Sequence, residues 1–516
     1  MKERFTLFWL FAAGLAFRLL HILFFSSEII PGSDQMLQIM LGRKFASGDF
    51  YGVLDTYWAP MYPLLIGVFS AFIDSPVIPA VVVSTIAGSL IVPLTYILVF
   101  QSYGRRTAVT AAAVAVFFPH LVNSVFALGS ENVYIVFMIG VLILIWNAMQ
   151  KDSSLLCLAG GLLLGLAYLT RPEAIGYPFF FVPIVVAYNF LRKRPFVKSS
   201  VPQAAALMLG LALVATPYLI YLRGEMGRWS VSGKSEINTI AGDIGEIDES
   251  TGEPTLATGG AAREFAKYFA LNSVDAHKRL PILLPPGLLI LAGIGLFGYA
   301  WSVDRLHREI FLIGFCLVTF VGYAAAVLQV RYFYVLLPIM FGWVALGIEY
   351  VAKWLRRSAK RWWHPRSVHL RPTPIVITFL LLIYLYALPL NFYIISAENR
   401  WKVQGYEERA AGLWLNQNSN PDSYVFSASR RPVFFAERKQ LAPTGTDFEQ
   451  IMSEIRKENV QYIVTSDRSL RRNPYLEGFD EFVREDPRWE CVYDAIPKPN
   501  YRISIFRLKQ DRRPLG

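Results

Sequence analysis

The stretch VIPAVVVSTIAGSLIVPLTYILVFQ, Val77–Gln101, contains no charged residue. At 1.5 Å per residue a helix of this length is about 37 Å long, enough to cross a bilayer core about 30 Å thick. The pattern recurs on both sides. Eleven apolar segments approach the roughly 20 residues that a membrane helix needs: 5–25, 77–101, 107–127, 132–149, 155–169, 174–190, 201–222, 282–301, 310–329, 333–350 and 374–395. The fifth and sixth are short and flank Arg171-Pro172-Glu173. Tyr62–Ile73 is apolar but too short to span, and reads as a re-entrant or interfacial helix. The run from Phe5 to Phe25 follows Lys2 and Arg4. It is long for a signal-peptide core and lacks a small-residue cleavage site after it, so it reads as a retained signal-anchor helix.

Composition points the same way. The 516 residues are 54% hydrophobic and 17% charged, whereas a soluble chain carries about a quarter charged residues. The excess apolar surface needs lipid around it. The net charge of +11 sits in short clusters between apolar runs, which fits cytoplasmic loops and not a nucleic-acid surface. No nucleic-acid motif is present. Of the three cysteines, Cys157 and Cys316 fall inside apolar runs and Cys491 lies near the C-terminus. Neither a disulfide framework nor a Cys/His metal pattern follows from that spacing.

The Lys/Arg bias sets an orientation. With the N-terminus inside, the inside loops are Tyr103–Arg106, Gln150–Ser154, Leu191–Ser200, Ser302–Glu309 and Lys353–Arg371, and each carries Lys or Arg. The outside loops Ser26–Pro76 and Arg223–Leu280 are acid-rich. This is the positive-inside pattern of a multi-pass plasma-membrane protein, and an odd number of spans puts the C-terminus outside. From Ser396 the chain turns polar. Tyr424–Ser429, Val460–Thr465 and Tyr501–Leu508 read as strands, and Glu407–Asn416 and Asp447–Lys457 as amphipathic helices. The expectation is a membrane domain over 1–395 and a small extracytoplasmic α/β domain over 396–516. Ala241–Gly260, rich in Gly, Glu and Thr, reads as a mobile loop.

Charge at the ends of membrane helices is costly and usually pairs or works. On the predicted outer side, Asp34 follows the first helix. Glu131 opens the fourth, Arg171 and Glu173 join the fifth and sixth, and Arg331 begins the tenth. Acids and bases from separate hairpins on one membrane face suit a site that holds an anionic head group and deprotonates an acceptor.

These residues carry a family resemblance. Gly32-Ser33-Asp34-Gln35 resembles the acidic first-loop motif of the GT-C glycosyltransferases, in the group containing protein O-mannosyltransferases and the lipid A aminoarabinose transferase. Ala59-Pro60-Met61-Tyr62-Pro63-Leu64-Leu65 is similar to the family's Pro-x-Tyr-Pro-Leu segment. Gly129-Ser130-Glu131-Asn132, Thr170-Arg171-Pro172-Glu173-Ala174 and Arg331-Tyr332-Phe333-Tyr334-Val335-Leu336-Leu337-Pro338 resemble later family motifs in the same order. Each motif alone is weak, and their order and common sidedness give the set its weight. The paired Asp-Glu of protein mannosyltransferases is absent here, since Gln35 follows Asp34. Ala59 also stands near a position where the aminoarabinose transferase has a phosphate-binding lysine.

The resemblance implies a GT-C fold and an inverting transfer of a sugar from a polyprenyl-phosphate donor to a glycan, lipid or protein acceptor. It implies Asp34 as general base and Glu131 as a second acid that orients the acceptor or helps hold a divalent metal ion. Arg171, Arg331, His277, Lys278 and Arg279 are candidate ligands of the donor phosphate, since guanidinium suits phosphate oxygens. Glu173, Tyr62 and Tyr332 are candidate substrate contacts. Structural readings stand beside these. Asp34 is a good N-cap, Glu131 suits a helix N-terminus, Arg171 can pair with Glu173 alone, and Arg331 or His277-Lys278-Arg279 can anchor at lipid head groups. Two other functions also remain open: a lipid-linked sugar flippase and a non-catalytic subunit of a glycan-assembly complex.

Overall fold

Prolines decide where the apolar runs bend, and glycines decide how closely they pack. The computed structural model describes residues 2–25, 29–233, 261–325, 329–362, 405–445, 447–497 and 499–509. Contacts divide the chain into two units. The first takes Met1–Ser26, Leu41–Ile73 and Ile78–Pro389, and the second takes Ser27–Met40, Asp74–Val77 and Leu390–Gly516.

The first unit is helical. It contains α1 (Lys2–Phe25), the C-terminal part of α2 (Ser33–Ala46), α3 (Met61–Ser70), α4 (Ile78–Tyr103), α5 (Arg105–Phe117), α6 (Pro119–Ala127) and α7 (Glu131–Lys151). It continues through α8 (Ser154–Thr170), α9 (Pro178–Leu191), α10 (Val201–Met226), α11 (Ala261–Leu283), α12 (Pro286–Phe297), α13 (Val303–Ala324) and α14 (Leu337–Trp362). Among the described residues seven helices are long and apolar enough to cross a membrane, or nine if each of two bent pairs is one span. The chain is thus a polytopic α-helical protein, and several of the expected eleven spans are redrawn.

The 107–127 run bends by 43° between α5 and α6, because Phe118 is held extended ahead of Pro119. The 282–301 run does not form one straight span. Its chain turns by 98° between Phe269–Leu283 and Pro286–Phe297, and Pro285-Pro286 supplies the break. The 155–169 segment is a 17-residue helix, short of a full span. The ninth expected span shifts from 310–329 to α13, because Ser302 N-caps that helix by accepting from the Arg305 amide. The 374–395 segment, the Ala241–Gly260 loop and most of the basic stretch after Trp362 lie outside the described residues. Tyr62–Ile73 does form a short apolar helix, α3.

Membrane helices gain little from hydrophobic association with each other, so close packing at small residues matters more. α8 and α10 meet at Gly161 and Gly210. A Cβ added at Gly161 would stand 2.1 Å from Leu207 O, and one at Gly210 would stand 2.3 Å from Leu158 O. α12 and α14 meet in the same way at Gly295 and Gly347. A buried ion pair adds a polar clamp. Glu309 accepts from Arg305 Nε at 3.2 Å and from the Tyr103 hydroxyl and Trp343 Nε1 at 3.0 Å each. Arg305 Nη2 in turn donates to Gly295 O and Leu296 O at 2.9 Å. Every charge in this clamp has a partner, and it joins α4, α12, α13 and α14.

The second unit contains α15 (Tyr406–Asn418), β1 (Tyr424–Ser427), α16 (Arg430–Ala436), β2 (Lys439–Leu441), α17 (Phe448–Lys457), β3 (Tyr462–Ser466), α18 (Asp467–Arg472), α19 (Phe479–Glu485), β4 (Trp489–Ala495) and β5 (Ile503–Leu508). The sheet order is β2-β1-β3-β5-β4, with β2, β1 and β3 parallel and β5 and β4 antiparallel. Successive strand residues face opposite sides. Val425, Val464 and Ile505 pack on α15 and α16, whereas Phe426, Ile463 and Phe506 pack on α17 and α19. The three expected strands and two expected helices are all present. The strands that the sequence reading missed are the two edges: three-residue β2, and β4, whose apolar residues alternate with charged and exposed ones.

Gly161→Val is expected to prevent the α8–α10 approach and lower the melting temperature of the detergent-solubilised protein sharply. Gly293→Ala, which meets nothing within 4 Å, is expected to leave it unchanged. In the second unit, hydrogen bonds from Arg502 hold the Asp494 carboxyl below the usual range, and Arg488 does the same for Asp486. A lowered folded-state pKa gives stability that is present above the ordinary aspartate value of about 3.9 and is lost as pH falls through the folded value. The melting temperature should therefore drop on acidification below about pH 4, and Asp494→Asn should flatten that drop.

Candidate active site

The site forms where three separate helix ends meet. The turn before α7 is left-handed at Leu128, with φ of 48°. Tyr62 holds that turn from below. Its hydroxyl donates to Leu128 O at 2.8 Å and lies 3.2 Å from Ser84 Oγ. Tyr62 is 0% exposed, so it supports the turn and presents no surface to a substrate. Gly129 follows, and the Glu131 carboxylate occupies the space that a side chain there would take. A Cβ there would stand 1.9 Å from Glu131 Oε2, so the carboxylate curls back over the glycine. Glu131 is the first residue of α7, where the helix dipole favours its charge.

Pro172 forces the residue before it out of helical geometry. Arg171 accordingly ends α8 in an extended conformation, and this turns its side chain across the helix end. Its Nη1 donates to Glu131 Oε1 at 3.2 Å. Nε and Nη2 both donate to Glu173 Oε1, at 3.1 and 2.8 Å. The guanidinium lies over the Tyr332 ring at 4.6 Å, with Tyr134 at 5.8 Å. Arg331 enters from the 3-10 segment Val330–Leu336. Its Nε is 3.4 Å from Glu131 Oε1, an ion-pair distance, yet makes no hydrogen bond. The Tyr332 ring stacks on Tyr323 at 5.2 Å, and this fixes the face that the arginines use.

One carboxylate oxygen therefore serves two guanidinium groups. Glu131 and Arg171 are about a tenth exposed, whereas Arg331 and Glu173 are about a third exposed. Buried charges of this kind persist when paired and hydrogen-bonded. Arg331 is both the less committed cation and the more accessible one.

The structure brings together Glu131, Arg171, Glu173, Arg331 and Tyr332. His277, Lys278 and Arg279 sit on α11, which packs against the Val330–Leu336 segment. His277 and Lys278 are exposed, and Arg279 is paired with Asp275 at 2.6 Å. Asp34 belongs to the second unit, where it is exposed in the first turn of α2. Tyr134 and Tyr323 were not anticipated from the sequence. Tyr134 had a readable signal, since it stands one turn after Glu131 on the same helix. Among the described residues no group of three His, Cys, Asp or Glu side chains could hold a metal ion. The two carboxylates of the cluster are already taken by arginines, so this donor set does not fit a divalent metal.

Residues 58–221 match the family model of dolichyl-phosphate-mannose-protein mannosyltransferases. That segment spans α3 through α10 and includes Glu131 and Arg171. The fold is similar to that of ArnT from Cupriavidus metallidurans in the apo state, with TM-score 0.59, 13% identity, and coverage of 95% of this chain and 97% of that chain. ArnT from the same organism bound to undecaprenyl phosphate gives TM-score 0.60, 11% identity and coverage of 96% and 97%. The apo oligosaccharyltransferase of Archaeoglobus fulgidus gives TM-score 0.51 and 13% identity, covering 100% of this chain and 75% of that one. No curated protein matches by sequence. The architecture is the GT-C fold. Within it, the 58–221 segment is similar to the dolichyl-phosphate-mannose-protein mannosyltransferase family model.

Tyr62→Phe leaves the Leu128 carbonyl without its buried donor, at a cost of about 1–3 kcal/mol. The expected outcome is a lower melting temperature with little change in KM for the donor. A raised KM at unchanged melting temperature would instead make Tyr62 a substrate contact.

Proposed function

We propose that this protein transfers a sugar from a polyprenyl-phosphate-linked donor to a glycan, lipid or protein acceptor at the outer face of the plasma membrane, with inversion at the anomeric carbon. The observation that carries this reading is the Arg171–Glu131–Arg331 cluster, framed by Tyr134, Tyr323 and Tyr332. An acid holding two guanidinium groups at helix ends is suited to receiving a phosphate, whose oxygens replace part of the carboxylate's role. The structure of ArnT bound to undecaprenyl phosphate supports the lipid class of the donor.

In this reaction the acceptor hydroxyl attacks the anomeric carbon as the bond from that carbon to the phosphate oxygen breaks. The hydroxyl proton passes to a carboxylate base, and the leaving polyprenyl phosphate keeps the electron pair. Asp34 is assigned as the base because the resemblance singles it out and its side chain is exposed. Arg331 and Arg171 stabilise the charge growing on the phosphate. Glu131 bridges the two arginines and keeps them oriented until donor arrives. Glu173 and Tyr332 border the donor head group. His277 and Lys278 suit lipid phosphates nearby. The positive-inside bias supports placing the N-terminus in the cytoplasm and the 396–516 region outside.

Asp34→Asn should abolish transfer of a radiolabelled sugar while the protein still folds and binds donor; full activity would remove Asp34 from the mechanism. Arg331→Gln should cost roughly 100-fold in kcat/KM, the usual scale for one lost contact to a developing anion. A flippase is excluded if sugar moves to an acceptor in detergent, where no vectorial transport exists. Movement of intact donor across vesicles without transfer would favour the flippase.

A further inference from the structure

Arg18 lies within the first membrane helix and is 0% exposed. It differs from Arg305, whose every neighbour answers its charge. Arg18 Nη1 donates to Gly14 O at 3.1 Å, and Nη2 reaches Leu121 O at a long 3.4 Å. Nε has no partner, and among the described residues no Asp or Glu pairs with the side chain. Gly88 makes room for it, and Gly14 lies in ordinary contact with it. A Cβ at Gly88 would stand 2.8 Å from Arg18 Nε, and one at Gly14 would stand 3.5 Å from Arg18 Nη1. The same Gly88 slot borders Asn132 Nδ2, at 3.4 Å. Asn132 directly follows Glu131. It is bonded on both sides, to Ser124 Oγ and to Ser84 O.

A buried arginine keeps its charge at neutral pH, and an unpaired charge at membrane depth is destabilising. A residue retained only for stability would be apolar here. The cluster next to Asn132 is electrically balanced, because Arg171 and Arg331 face Glu131 and Glu173. Such a cluster offers guanidinium donors to a phosphate but carries little net positive charge of its own.

We propose that Arg18 is a positioning residue that supplies a net positive charge: its fixed charge, held behind the start of α7 with no counter-ion among the described residues, biases the Glu131–Arg171–Arg331 cluster towards an anionic lipid phosphate. The inference rests on the donor reading above. It assigns Arg18 no contact with substrate. It acts through the field in a low-dielectric interior, where one charge is felt over several ångströms.

The test uses full-length protein in nanodiscs with undecaprenyl phosphate and neutral undecaprenol as probes, together with thermal melting. Arg18→Met, close in shape and uncharged, should melt at or above the wild-type temperature. It should bind undecaprenyl phosphate about tenfold more weakly, and undecaprenol as before. Arg18→Lys should recover most of the phosphate affinity. Wild-type affinity in Arg18→Met overturns the proposal. So does a variant that melts lower or fails to fold, because that makes the charge structural. Wild-type protein that ignores undecaprenyl phosphate overturns the donor reading instead, and the melting arm still decides whether Arg18 is a structural charge.

Discussion

The carboxylate of Glu131 is shared by Arg171 and Arg331, and the first unit is organised around that sharing. A glutamate nine-tenths buried at a membrane helix end needs its charge answered. Each answering arginine belongs to a different part of the chain. One ends α8 and the other opens the 3-10 segment before α14. Satisfying one acid therefore fixes three helix ends at once, and Tyr332, lying beneath both guanidinium groups, fixes the angle at which they arrive. Apolar matching alone would not do this, since lipid solvates a leucine as well as another helix does. The glycine contacts at Gly161, Gly210, Gly295 and Gly347 bring the helices close, and the ion pairs set how their ends are aligned.

The backbone is least regular where the chemistry collects. Pro172 stops α8 and is followed by a 3-10 turn, Pro119 bends the α5–α6 pair, and Pro285-Pro286 break α11 from α12. The last two breaks are tied to the Arg331 segment through His120, whose ring contacts Ile282 O at 2.7 Å and the Tyr334 hydroxyl at 3.2 Å. Non-helical backbone inside a membrane protein is tolerated where protein surrounds it. Here it allows side chains to converge from helix ends that a regular bundle would keep pointed along the axis.

The second unit solves a soluble problem by different means. Its sheet is covered on both faces. Glu407 and Glu408, at the start of α15, are buried against Arg468 and Arg431 at 2.7 and 2.6 Å. These pairs attach the first helix, α15, to α18 after β3 and to α16 after β1. They specify which helix docks there more than they add to stability, because taking both charges out of water offsets much of their attraction.

The sequence by itself determined the class of protein. Period-free apolar runs, charge confined to loops and a change to alternating periodicity after Ser396 are local signals, so they were legible without contacts. The fold class and the strands β1, β3 and β5 were read that way, whereas Glu131, Arg171, Glu173, Arg331 and Tyr332 were singled out, with Asp34, Tyr62, His277, Lys278 and Arg279, by charge at helix ends and by the order of motifs. The straightness of the spans was not legible, because whether a proline ends, bends or merely sits in a helix depends on what packs beside it. The role of Tyr62 was also hidden. Its motif is similar to a family segment, but only the tertiary structure put its hydroxyl on Leu128 O and buried it completely. Arg18 stands in the sequence as one charge in an apolar run, and only the tertiary structure shows that among the described residues no acid pairs with it. Sequence records which charges exist. The fold decides which of them cancel, because pairing depends on distances of a few ångströms between residues on separate elements, such as Arg331 and Glu131.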